Sequence, residues 1–538
     1  MAPSTNGSSK APRREDHGDL IALYLRGSYR EMGEQQVRLL GDPARQIFDL
    51  RRRDWDRLIS GNGSLAKAGD VLLARFWAWW GPRYEESSYF EEIRGIAIGL
   101  GVRRVEALRG VFGWLGAGST VFLATRAATA DGHAIMGKNS DWPDGDGLQR
   151  PLVTHYYPTN GDLAHIMAGW GLLCLPGVGI NEAGFAISLN FFIADQIVGI
   201  GAAQWPLRRA LQRAKTVNEG IEIFERMKLR GLSGFVCMAD ALGDVAMVEC
   251  TPTAMAVFRP EDDWFVQTNH ARTELMRDHD RGRSPDTFDR FRAVEQAVMR
   301  HIGGITPAIA ADILRDRSNS PYVNGSVVGN IGVLNSAVVH PATKTLWHST
   351  TMQPLAPFGE MVAFSPAEDA VSMPPIPRDT RLGTAPMERE AAVIAELRRT
   401  LRLFRAGKLE DADRAWEHLQ LEADGLLKPE RFVWARALVR FRSGRLEEAD
   451  DLFKQLDQED IPFDLRAHAL VARGLLADRQ GRRPDAIGSY QEAHDYIRGH
   501  PYNHQFLVGP LERCIGMGMN APQPAAKLEW LPDLQRGP

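Results

Sequence analysis

Cysteine is scarce in this chain, and its spacing excludes two kinds of cross-linked architecture. The 538 residues contain four cysteines, Cys174, Cys237, Cys250 and Cys514, and none of them forms a CxxC pair. Disulfide frameworks and zinc ribbons both depend on cysteines at short, regular spacings. We therefore expect reduced thiols, most of them buried in the core.

Long apolar runs and an excess of basic charge are also missing. Residues 1–18 carry charge with no apolar segment behind them, unlike a secretory signal. No run of about 18 apolar residues predicts a membrane span. Acidic residues number 68 and basic residues 64, a balance that disfavours binding to nucleic acid. The sequence predicts a cytoplasmic protein with neither membrane nor nucleic acid as a partner.

Several familiar catalytic signatures are absent. The chain has no GxSxG nucleophile elbow, no Walker A motif, no HExxH and no EF-hand loop. Gly177 and Gly179 begin a pattern like the dinucleotide-binding fingerprint, but Glu182 stands where its third glycine belongs. We therefore predict no cofactor and no metal.

Composition and patterning divide the chain into distinct regions. Hydrophobic residues make up 44% and charged residues 25%, values typical of globular proteins. Residues 19–365 mix helical and strand-like patterns, whereas residues 387–520 show helical periodicity alone. Between them, residues 366–386 are rich in proline and read as a linker. Residues 1–18 and 521–538 are predicted to be tails, the first of them disordered.

The helical region contains an internal repeat. Similar segments surround Gly407, Gly444 and Gly481, and the spacing between successive glycines is constant at 37 residues. Glycine suits the turn between two helices, and an alanine five residues after each glycine permits close helix packing. The pattern resembles tetratricopeptide-type arrays, which bind protein partners or dock on their own chain. Generic helical hairpins remain the alternative.

One segment combines a nucleophile with a carboxylate. Gly118-Ser119-Thr120 opens a strand-like run, and Asp131-Gly132 is a strong hairpin signal. The return strand ends in Asn139-Ser140-Asp141-Trp142. A hairpin of this kind would bring Asp141 back toward Ser119.

This segment resembles the N-terminal-nucleophile hydrolase superfamily, and most closely the acyl-CoA:6-aminopenicillanate acyltransferase family. The resemblance spans about residues 20–365 and implies an α+β fold, a four-layer αββα sandwich, followed here by the all-α repeat domain. The family normally has cysteine at the position of Ser119. Other stretches that resemble family motifs are Leu25–Gly33, Pro176–Asn190, Gln267–His270 and, more loosely, Ser284–Arg290.

The resemblance implies that the chain cuts itself between Gly118 and Ser119. The new α-amino group, whose reference pKa is about 7.7–8.0, would then serve as the base for its own hydroxyl. Asp141 would hold this amine, and Asn269 would donate a hydrogen bond to the oxyanion. Each of these two residues has a purely structural alternative, as a turn aspartate and a strand-end asparagine.

Two further residues are candidates for lining the site. Lys138 stands where some branches of the superfamily carry an arginine, although a solvated hairpin lysine is an alternative. Asn190 could line the site or cap the end of its strand.

The predicted activity is hydrolysis of an N-acyl amide, or of a small peptide-like bond, through an ester on Ser119. The substrate would be a small acylated amine. One alternative is an acyltransferase that passes the acyl group to an amine. A second alternative, from another class, is a non-catalytic interaction protein in which serine marks an inactive domain and the repeats bind a protein partner.

Overall fold

A computed structural model describes most of the two predicted domains. It covers residues 11–60, 88–112, 118–141, 150–169, 177–192, 204–227, 233–367 and 373–500, with scattered positions at 69, 72, 75–76, 79, 171–172, 194–195, 508, 511–512 and 514–515. Trp142, Cys174 and the predicted C-terminal tail lie outside the described residues. Cys237, Cys250 and Cys514 are buried free thiols.

The described strands form two sheets. The first has the spatial order β1-β2-β5-β6-β7-β8-β9-β10-β11 and the second β12-β3-β4-β13-β14-β15. Neighbouring strands are antiparallel except for the parallel pair β2 and β5. The strands are β1 Arg13–His17, β2 Leu20–Gly27, β3 Ser119–Ala124, β4 Ile135–Asp141, β5 Leu152–Pro158, β6 His165–Gly169, β7 Val178–Asn181, β8 Ala186–Phe191, β9 Gly234–Ala239, β10 Val245–Cys250, β11 Met255–Phe258, β12 Trp264–Gln267, β13 Val333–His340, β14 Thr345–Ser349 and β15 Met361–Phe364.

Helices cover the outer face of each sheet. One apolar core joins the inner faces of the two sheets, and two others pack helices on the outer faces. These layers are the predicted αββα sandwich, and the predicted α+β class is confirmed. The helices of this domain are α1 Tyr29–Leu40, α2 Asp42–Ser60, α3 Ser88–Leu100, α4 Arg104–Phe112, α5 Gln204–Arg213, α6 Val217–Arg226, α7 Glu274–Arg277, α8 Pro285–Met299 and α9 Pro307–Leu314.

The motif near the N-terminus has a structural explanation. Ser28 and Glu31 form a capping box that begins α1. A side-chain carbon on Gly33 would lie 2.2 Å from the carbonyl oxygen of Glu92 in α3, so only glycine permits this close helix contact. Gly41, with φ of 67°, ends α1 and separates it from α2.

The prediction of a disordered tail over residues 1–18 is wrong for its last part. Residues 13–17 form strand β1, which pairs with β2 at the edge of the first sheet. Charged side chains suit an edge strand because they discourage pairing with other chains. The Arg13 guanidinium lies 3.7 Å above the ring of Tyr24 and also pairs with Glu15, so tertiary contacts order a segment that has no apolar pattern.

The C-terminal part is helical, as predicted. Its helices pair through turns at Gly407, Gly444 and Gly481, whose φ angles of 74°, 79° and 76° are left-handed. The alanine that follows each of these glycines by five residues is fully buried. The tetratricopeptide resemblance and a protein partner stay predictions. The helices are α10 Ala385–Arg405, α11 Leu409–Glu422, α12 Pro429–Arg442, α13 Leu446–Gln455, α14 Phe463–Arg479 and α15 Arg483–Gly499.

None of the helices in the described ranges is long and apolar enough to span a membrane.

Candidate active site

The Gly118–Ser119 peptide lies at the end of the β3–β4 pair. Ser119 is opposite Ser140 in the register, and the backbone N–H of Asp141 donates to the Gly118 carbonyl at 2.8 Å. A side-chain carbon on Gly118 would lie 2.7 Å from Oδ2 of Asp141. A side chain at this position would therefore displace the carboxylate of Asp141, which occupies the space beside Gly118.

Asn269 contacts the same peptide from the other side. Its Oδ1 accepts the backbone N–H of Ser119 at 2.8 Å, and its Nδ2 donates to the carbonyl of Phe191 at 2.5 Å. Oδ1 also accepts from Arg290 at 2.7 Å. Because a guanidinium can only donate, this bond fixes which end of the amide faces Ser119.

Arg290 is the site residue to which the sequence assigned no role. From α8, its Nη2 reaches the carbonyl oxygen of Ser119 at 3.5 Å, and its Nε lies 3.8 Å from Oδ2 of Asp141. Its Nη1 donates to the carbonyl of Gly325 at 2.6 Å. The only sequence signal was the loose resemblance at Ser284–Arg290, which marks the start of α8.

Lys138 and Asn190 meet between the two sheets. Nζ of Lys138 donates to the carbonyl of Leu189 at 2.9 Å and to Oδ1 of Asn190 at 2.5 Å. Asn190 in turn donates through Nδ2 to the carbonyls of Gln267 and Thr268, both at 3.0 Å. Lys138 is 1% exposed, so the alternative of a solvated hairpin lysine is wrong. Through these hydrogen bonds, Asn190 connects β8 to the end of β12, just before Asn269 in the chain.

Burial shifts the pKa values of two charged side chains at this site. Burial raises the pKa of Asp141, while the nearby charges of Arg290 and Lys138 and a hydrogen bond from Asn330 act to lower it. Burial lowers the pKa of Lys138 to about 7. Asp141 therefore depends on its cationic neighbours to stay ionised.

The Lys138 ammonium should make the stability of the fold depend on pH. Its pKa falls from 10.5 to about 7 on folding, so above pH 7 the unfolded chain binds a proton that the folded chain does not. The free energy of unfolding should therefore rise between about pH 7 and pH 8.5, by at most ~1.4 kcal/mol per pH unit. Lys138→Met should lack this rise, as measured by urea unfolding at both pH values. Equal slopes for the two proteins would contradict the assignment.

Part of the chain matches a known family. Residues 128–351 match the family model described as acyl-coenzyme A:6-aminopenicillanic acid acyl-transferase. The match begins after Gly118 and Ser119 and includes Lys138, Asp141, Asn190, Asn269 and Arg290. Together with the four-layer fold, the match supports an enzyme that acts on amide bonds. The predicted resemblance to the acyl-coenzyme A:6-aminopenicillanic acid acyl-transferase family is confirmed over residues 128–351, which make up less than half of the chain.

Similar solved structures were also found. One is an N-acylethanolamine-hydrolyzing acid amidase ortholog from Caenorhabditis elegans, with 16% identity, a TM-score of 0.32 and coverage of 41% of this chain and 93% of that chain. Another is a mutant conjugated bile acid hydrolase from Clostridium perfringens, with 14% identity, a TM-score of 0.33 and coverage of 47% and 99%. Likeness at this level gives no information on the substrate of this chain. The comparison with curated protein sequences gave no match.

Proposed function

We propose that the chain is a self-processing amidohydrolase that cleaves an N-acyl amide, or a small peptide-like bond, through an ester on Ser119. The observation that carries this proposal is the environment of the Gly118–Ser119 peptide. Asn269 accepts its N–H at 2.8 Å, and the backbone N–H of Asp141 donates to its carbonyl at 2.8 Å. Both polar groups of this one peptide are therefore held at the site.

The first reaction is cleavage of the chain itself. The Ser119 hydroxyl oxygen attacks the Gly118 carbonyl carbon and its proton passes to the Ser119 nitrogen. The C–N bond breaks as the acyl group moves from nitrogen to oxygen. The negative charge that develops on the Gly118 oxygen is stabilised by the Asp141 N–H, which already donates to that atom. Water then hydrolyses the ester, leaving a carboxylate on Gly118 and an α-amino group on Ser119.

The new amine then has acceptors in place. Oδ1 of Asn269 already accepts from this nitrogen. Oδ1 of Asp141 is buried and accepts no hydrogen bond from the described part of the chain, so it supplies a second acceptor. An oriented amine can take the proton of its own hydroxyl when that hydroxyl attacks a substrate.

The second reaction is turnover of the substrate. The Ser119 oxygen attacks the carbonyl carbon of a small acylated amine, the amine leaves with a proton, and water cleaves the ester. The side-chain amide of Asn269 lies beside Ser119, and we assign to it the role of oxyanion donor for the substrate that the family resemblance implies. No step of this scheme uses a metal or cofactor.

An experiment with a competing amine distinguishes water from an amine as the acceptor. A chromogenic N-acyl amide is incubated with the processed protein, with and without the amine, and the acyl products are separated by chromatography. We expect the free carboxylic acid to dominate in both cases, because serine esters react with amines less readily than thioesters do. If the N-acylated amine dominated, the acyltransferase alternative that the family match favours would replace hydrolysis.

A further inference from the structure

A loop between the two domains contacts both the candidate active site and the helical repeats. It comprises residues 316–332, which connect α9 to β13, and we call it the bridging loop. It contacts α8 on one side and, on the other, α10 and the turn between α11 and α12. The same short segment therefore belongs to two packing environments.

On the catalytic side, the bridging loop holds two of the site residues. The Gly325 carbonyl accepts from Nη1 of Arg290 at 2.6 Å. Burial raises the pKa of Asp141, and the Asn330 side chain of the loop acts to lower it. Another nitrogen of the same Arg290 guanidinium binds Oδ1 of Asn269. The position of the Gly325 carbonyl therefore helps to set the direction in which Arg290 approaches Asn269.

On the other side, the helical repeats hold the same loop. Arg317 makes a two-point ion pair with Glu390 of α10, at 2.7 and 3.0 Å, and both side chains are nearly buried. Nε of the same arginine donates to the carbonyl of Gly329 within the loop. The N–H of Val323 donates to the carbonyl of Leu426 at 3.0 Å, and the Val323 side chain packs in the core of the helical domain.

We propose that Glu390 is a positioning residue for catalysis and that the helical repeats form part of the catalytic unit. Glu390 fixes Arg317, Arg317 fixes the bridging loop, and the loop fixes the Gly325 carbonyl that orients Arg290. Two-point pairing of a guanidinium with a carboxylate sets direction as well as distance, so this ion pair suits a positioning role. The inference rests on the proposed function for its kinetic test but not for its structural one.

The test compares Glu390→Gln with a matched control in the full-length protein. The control is Asp464→Asn, which removes the carboxylate from the Arg431–Asp464 ion pair, at 2.7 Å and similarly shielded from solvent, within the helical domain. Both variants should lower the midpoint of thermal unfolding. Only Glu390→Gln should lower kcat on a chromogenic N-acyl amide, by about tenfold or more with KM little changed, and it should also slow self-cleavage. Glu390→Asp should recover part of the lost rate.

Hydrogen exchange followed by mass spectrometry gives a readout that needs no activity. Glu390→Gln should speed exchange in peptides that cover residues 323–332 and 285–291, and Asp464→Asn should not. If the wild type neither cleaves itself nor hydrolyses amides, the proposed function fails while this comparison still decides the coupling. Unchanged exchange at residues 285–291, or an equal loss of kcat in both variants, would overturn the positioning role.

A milder variant covers the case in which Glu390→Gln does not fold. Val323→Ala shortens the side chain that packs in the helical core and leaves the Arg317–Glu390 ion pair intact. It should speed exchange in the same two segments to a smaller extent. Wild-type exchange at residues 285–291 would again overturn the proposal.

Discussion

Ser119→Ala is expected to run as a single chain of 59.8 kDa and to have no detectable amidase activity. The change removes the oxygen that attacks the Gly118 carbonyl, so neither self-cleavage nor the acyl-ester can form. The wild type should instead give two fragments, residues 1–118 and 119–538. A denaturing gel shows the first effect, and release of a chromophore from an N-acyl amide shows the second.

Two further variants act as controls for this result. Ser140→Ala removes a hydroxyl directly opposite Ser119 in the strand pair and should cleave normally. Ser119→Cys restores the residue that the family has at this position, so it should cleave and become sensitive to thiol alkylation. A wild type that stays in one piece, with Ser119 inert toward an acylating probe, would instead favour the non-catalytic interaction protein.

Asn269→Leu is expected to lower kcat/KM by about 10²–10³, the usual cost of losing one oxyanion donor. The substitution keeps the approximate size of the side chain but removes the acceptor for the Ser119 nitrogen. It also leaves Arg290 without the amide oxygen that it contacts at 2.7 Å. Steady-state kinetics with a chromogenic amide measure the loss, and a time course of fragment formation shows whether self-cleavage slows as well.

Asn181→Leu is the matched control for this change. Asn181 is fully buried, and its side-chain amide donates to the carbonyls of Leu211 and Ala214 in and after α5. Its loss should destabilise the protein without lowering kcat. Wild-type kinetics for Asn269→Leu, or equal kinetic losses in both variants, would remove Asn269 from the mechanism.

The sequence allowed prediction of those features of the site that depend on local pattern. A glycine before a nucleophile, followed by a return strand ending in Asp141, predicts the pairing that brings Gly118 beside that carboxylate. The turn at Asp131-Gly132 is less tight than predicted, since residues 125–134 separate β3 from β4. The strands nevertheless pair antiparallel, with Leu123 opposite Met136 and Ser119 opposite Ser140.

The burial of Lys138 could also have been predicted from strand periodicity. Met136 packs in the core between the sheets, and alternation along β4 places Lys138 on the same face. The polar character of lysine obscured this signal. The cost of burying it is offset by the bonds that it donates to Leu189 and Asn190.

The contacts of Arg290 depend on packing that local sequence does not encode. They require α8 to lie against the second sheet and the bridging loop to return from α9, so they join residues far apart in the chain. The Arg317–Glu390 ion pair likewise joins the two domains. Strand β1 was missed for a related reason, because its order comes from its neighbours and not from an apolar pattern.

The most direct test of the account is the N-terminal sequence of the fragments of the purified wild-type protein, supported by their intact masses. We predict a second N-terminus that reads Ser-Thr-Val-Phe-Leu-Ala, beginning at Ser119, and its absence from Ser119→Ala. A wild-type protein with only its original N-terminus, or with a cut at any other bond, would contradict the claim that Ser119 frees its own catalytic amine.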